Sequence, residues 1–155
     1  MGSSELRNQL VTNGVATLAE IRGCTPHEIE ELERLVGKNL PLSYKDFLLT
    51  VGHQAGGFLR GTDKLYEHVA EFTDAARELL AENGLPGGLP EDAFVFYMHQ
   101  GYEFGYFRAG EGDDPPVYQY FEGNGSPKLV WPSFTGYVVD MIRLHVEALR
   151  REPRD

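Results

Sequence analysis

A chain of 155 residues, 41% hydrophobic and 25% charged, can fill one domain over 1–155 with its core over 24–149, since a domain near 150 residues buries about 70% of its unfolded surface. Its formal charge of −10 and isoelectric point near 4.9 argue against nucleic acid or an anionic membrane as a direct ligand, because both demand a basic surface. The lone cysteine, Cys24, precludes an internal disulfide; Met1 to Leu10 lacks a secretory apolar stretch and no run reaches the ~18 residues of a membrane span, so a cytoplasmic protein is expected.

The first clear element opens at Thr25. Thr25, Pro26 and Glu28 occupy N-cap, N1 and N3 of a capping box, Ile29, Leu32 and Val36 follow at helical spacing, and Gly37 supplies the stop. After the lead-in Leu40-Pro41-Leu42-Ser43, a second helix carries Tyr44, Phe47, Leu48 and Val51 on one face and ends at Gly52, before a glycine-rich loop from His53 to Gly61. A third helix is predicted over 63–82, where Leu65, Val69, Phe72, Ala76 and Leu79 make an apolar stripe.

Beyond Gly84 to Pro90 the residues become aromatic and β-branched. Strands are predicted at 93–98, 103–108, 117–121 and 128–131, separated by turns rich in Gly and Pro. Their aromatic residues Tyr97, Tyr106, Phe107, Tyr118, Tyr120, Phe121 and Trp131 should divide about equally between core and surface. Ser133 caps a last helix with Phe134, Val138, Met141, Ile142, His145 and Leu149 on one face. The fold class is therefore α+β: N-terminal helices, an antiparallel sheet of about four or more strands, and a C-terminal helix packed on the sheet.

The charge is unevenly placed. Residues 63–122 hold 13 acidic and 3 basic side chains, while the remainder nets zero. Glu67, Glu71, Asp74, Glu78 and Glu82 line the face of the third helix opposite its apolar stripe, at a spacing where like charges repel by about 0.2–0.5 kcal/mol per pair. Such a row is either a solvated face or a patch that meets a basic partner. Glu111, Asp113 and Asp114 add a second acidic group in the loop before the third strand, with Tyr102 and Tyr118 as candidate aromatic contacts. That loop lacks the regular oxygen spacing of a calcium site, so no metal is expected there.

Cys24 precedes a helix N-terminus, which favours a thiolate, but no partner for it is recognisable in the sequence. His99 sits at a turn beside Tyr102 and Glu103, where backbone hydrogen bonding is the usual use of an imidazole. No nucleophile elbow, zinc-protease, P-loop or dinucleotide pattern occurs. The expectation is a binding protein, not an enzyme, with no cofactor; no convergence of His99, Glu103 and Cys24 around a pocket is anticipated.

The segment from Glu28 to Glu33 leading into Leu35-Val36-Gly37-Lys38-Asn39-Leu40-Pro41, then Tyr44 and Phe47-Leu48, resembles the opening signature of the SUKH superfamily. Val95 to Phe104, Asp114 to Tyr118, Phe121-Glu122-Gly123 and Ser133-Phe134 resemble its later parts, in the same order, over about residues 24–149. Many members carry asparagine-glycine after the second helix, whereas here Gly52 is followed by His53, Gln54 and Ala55. The superfamily joins bacterial toxin-immunity proteins with fungal cell-wall-assembly regulators. The resemblance implies protein recognition without catalysis: direct binding of a cognate toxin, for which the acidic charge suggests a basic nuclease, or a general interaction or regulatory scaffold role.

Overall fold

The computed structural model describes residues 1–59 and 66–151. Helix α1 (Ser3–Thr12) leads through a 3₁₀ turn (Leu18–Glu20) to strand β1 (Ile21–Arg22), helices α2 (Pro26–Val36) and α3 (Leu42–Val51), and strand β2 (Gln54–Ala55). Helix α4 (Tyr66–Glu82) precedes strands β3 (Ala93–His99), β4 (Glu103–Arg108), β5 (Val117–Phe121) and β6 (Lys128–Trp131), and α5 (Phe134–Arg151) closes the chain. The architecture is the α+β arrangement expected. The predicted start of α4 at 63–65 lies outside the described residues.

The local signals act as their chemistry requires. Thr25 Oγ1 accepts from the Glu28 amide and Glu28 Oε1 accepts from the Thr25 amide, closing the capping box of α2, and Gly37 ends the helix in the left-handed region. Ser133 Oγ accepts from the Gly136 amide at the start of α5.

Strands β3 to β6 form an antiparallel sheet in chain order, and β1 pairs with β2 in a separate two-stranded ribbon. One sheet face carries Phe94, Phe96 and Phe107, which meet Tyr44 of α3 and Phe134 of α5 at ring centroid distances of 5.1–6.2 Å. A bulge between Val95 and Tyr97 breaks the alternation. It brings the consecutive rings of Phe96 and Tyr97 against the same residue, Tyr137, at 5.0 and 5.7 Å. Of the seven strand aromatics, Tyr97, Tyr106, Phe107 and Tyr120 are buried, the half expected in the core, while Tyr118 and Trp131 are half-buried and only Phe121 is exposed, so the surface half is smaller than expected.

The core also reaches beyond the predicted boundary at residue 24. Leu6 and Leu10, one helical turn apart on α1, are buried, and that helix packs on α3. Two apolar positions give too weak a period to mark a helix by themselves, so tertiary packing decides it. Two further corrections follow from packing. Leu80 is buried where Leu79 was expected, and Leu149 is exposed while Tyr137 supplies the missing contact of α5. Among the described residues, no helix is long and apolar enough to cross a membrane.

Candidate functional site

Val69, Phe72, Ala76 and Leu80 turn α4 toward the core, which leaves Glu71, Asp74, Glu78 and Glu82 exposed. Glu67 belongs to the same helix, but its side chain lies outside the described ones. None of the four exposed carboxylates forms an ion pair among the described residues. Arg77, the cation nearest to them in sequence, is held by backbone: its guanidinium donates to the carbonyls of Leu89 at 3.2 Å and Pro90 at 3.0 Å. Thr73 accepts from the Val95 amide, pinning α4 along β3.

Between α2 and α4 lies an open groove of about 490 Å³. Val36, Ala70, Phe94 and Leu35 give it apolar walls, with Leu35 75% exposed, and Glu71 and Asp74 add carboxylates; Lys38 and Arg77 also line it. Apolar walls beside carboxylates suit a lysine or arginine side chain, whose stem is apolar and whose head is cationic.

The remaining predicted residues are drawn into the fold to different degrees. Tyr118 stacks on Tyr106 at 5.0 Å and its hydroxyl donates to Glu111 at 3.1 Å, while Glu111 also lies 3.5 Å from Arg108. Burial first and then Glu111 push the Tyr118 phenol up. Asp114 Oδ1 accepts from the Thr135 amide in the first turn of α5, and the Asp113 carbonyl accepts from the Ser43 amide in the first turn of α3. These two exposed aspartates therefore tie the loop to two helix starts. Tyr102 is half-buried at the β3–β4 turn, with its ring against His99 at 5.8 Å and Phe121 at 5.3 Å.

Glu103 belongs to a partly buried polar trio on the sheet. The Tyr97 hydroxyl donates to Glu103 Oε2 at 2.9 Å, and Gln119 Nε2 donates to both, at 3.0 Å to Tyr97 and 3.1 Å to Glu103. Burial raises the Tyr97 phenol far above its ordinary value. Gly105 makes room for this ring, since a Cβ there would enter it.

Sequence reasoning found no partner for Cys24, and the structure corrects this. Sulfur, a Glu28 carboxylate oxygen and a His53 ring nitrogen lie within 4.8 Å of one another. His53 Nε2 hydrogen-bonds Glu28 Oε2 at 2.8 Å. The Thr25 amide first, and then His53, hold the Glu28 carboxyl below its ordinary value against the opposing effect of burial. In the sequence His53 opens a glycine-rich loop and lies 25 residues from Glu28; neither position shows a metal-ligand or catalytic spacing.

The molecule is thus an α+β domain with a groove of apolar and mixed-charge lining between α2 and α4. The chain belongs to the SMI1 / KNR4 family (SUKH-1), whose family model matches residues 23–140. No curated protein matches the chain.

Proposed function

We propose that the protein acts in the cytoplasm by binding another protein, neutralising a cognate toxin, with a basic nuclease as the partner class that best fits its charge. The observation that carries this reading is the placement of Glu71 and Asp74 beside the apolar walls of the α2–α4 groove. Lysine or arginine side chains that grip phosphates on a nuclease surface would find carboxylates there in place of phosphates, and the net charge of −10 would speed encounter. Glu78, Glu82 and Glu67 extend the proposed interface along α4, with Tyr102, Glu111, Asp113, Asp114 and Tyr118 as its second patch. Family membership supports an immunity or a regulatory role alike, so a regulatory scaffold without a toxin partner is the competing reading.

The test is association with the product of the adjacent gene, measured at two salt concentrations. Glu71→Lys, Asp74→Lys and Glu78→Lys combined should keep the circular-dichroism spectrum, because these side chains are exposed on a helix that lysine also favours. The variant should associate at least about tenfold more slowly than wild type at low salt, with the gap narrowing as salt rises. Equal rates would move the interface to the aromatic patch at Tyr102 and Phe121. No binding by wild type would favour the scaffold reading.

A further inference from the structure

We propose that Cys24, Glu28 and His53 form a binding site for a zinc-class divalent ion. The three donors come from three segments: the residue before the α2 cap, the first turn of α2, and the exit of α3. The backbone locks these segments together. Leu48 O accepts from the amides of both Cys24, at 2.8 Å, and Gly52, at 3.0 Å, while the His53 amide donates to Arg22 O at 2.9 Å. A Cβ at Gly52 would collide with Cys24 Sγ, so glycine leaves the sulfur its space beside the imidazole.

The side chains are equally constrained. Glu28 Oε1 is occupied by the Thr25 amide at 2.9 Å, leaving Oε2 for His53. Tyr66 sets its ring edge-on to His53 at a centroid distance of 5.4 Å and donates its hydroxyl to the Glu28 carbonyl at 3.0 Å. Outer contacts of this kind orient ligands at metal sites.

The donor chemistry selects the ion. One sulfur, one nitrogen and one oxygen suit zinc and its cobalt surrogate, whereas calcium and magnesium require a shell of oxygens. Bonds of ~2.3 Å to sulfur and ~2.0–2.2 Å to nitrogen and oxygen place tetrahedral ligands about 3.3–3.7 Å apart. The present separations, 2.8 Å for the imidazole and carboxylate and within 4.8 Å for all three atoms, need adjustments of no more than about 1.5 Å to reach that spacing. On binding, the Cys24 thiol releases its proton to solvent, and a proton on His53 Nε2 goes to solvent from an imidazolium or shifts to Nδ1 in the neutral ring, which frees the Nε2 lone pair. Three protein ligands leave one tetrahedral position for water or another donor. Cys24 is 5% exposed, which keeps its sulfur from a macromolecular substrate and favours an ion over a nucleophilic role.

The experiment titrates the reduced, metal-free full chain with cobalt(II) and follows the near-ultraviolet sulfur-to-cobalt charge-transfer band. A band that saturates at one cobalt per chain and is abolished by zinc is expected. Cys24→Ser should remove the band, and His53→Gln should weaken cobalt binding at least about tenfold, since loss of even outer partners costs 10–100-fold. His53 is half-buried rather than central to the core, so His53→Gln serves even if the Cys24 variant fails to fold; circular dichroism checks both. Absence of the band at saturating cobalt, or a band with unchanged affinity in folded His53→Gln, would overturn the proposal.

Discussion

Within the sheet, Tyr97 shows how one buried hydroxyl can anchor a half-buried carboxylate. Hydrogen bonds to charged acceptors contribute about 1.5–3 kcal/mol, and removing one partner leaves the other to bear its desolvation. Tyr97→Phe should lower unfolding stability by an amount near the lower end of that range, because Gln119 still reaches Glu103; urea denaturation measures it. Such side-chain relations were unevenly legible in the sequence. Thr25 and Glu28 are three apart on one helical turn, so their reciprocal bonds follow from local geometry, and Gly37 follows from the helix that needs it. The meeting of Glu28 with His53 depends on how α2 and α3 are docked, and no local spacing encodes it.

Strands β4, β5 and β6 are readable from the chain, with bounds that match those expected, because aromatic and β-branched runs are set off by turns rich in Gly and Pro. β3 was found too, but its bulge at Val95 to Tyr97 was not, because an extra residue changes which side chains share a face without changing composition. The turn after β3 holds a second exception. Gln100 and Gly101 have φ of +50° and +76°, and the Tyr102 amide donates to the His99 carbonyl, so a bulky residue sits where a turn of this hand favours Asn or Gly. Gln100→Gly should raise stability by about 0.5–1 kcal/mol, read as a higher urea midpoint at unchanged slope. Helix α1 is the reverse case: its sequence carries little pattern, and docking on α3 supplies what periodicity does not.

Across the whole molecule, stability should fall on the acid side. The Arg108 hydrogen bond holds the Asp92 carboxyl below its ordinary value, and the Arg143 and Trp131 hydrogen bonds do the same for Asp140. A carboxylate with a folded-state pKa below its unfolded one contributes stability above the unfolded value, near ~3.9, and loses it as pH falls through the folded value. The stability gap between wild type and Asp92→Asn should therefore be widest near neutrality, narrow below about pH 4 and close in stronger acid, as chemical denaturation across pH would show. At this scale, the charge imbalance was legible from a count of residues, while the groove that gathers Glu71 and Asp74 required the docking of α2 on α4. The sheet itself ends in two different ways. Along β3, Thr73 of α4 takes the Val95 amide, whereas β6 pairs only with β5 among the described residues, and its Leu129 and Val130 are exposed. A second copy that met β6 edge to edge would present an α4-flanked border at both outer limits of the joined sheet. Extension of this sheet through β6 would thus stop at two copies, because the border along β3 lies under α4.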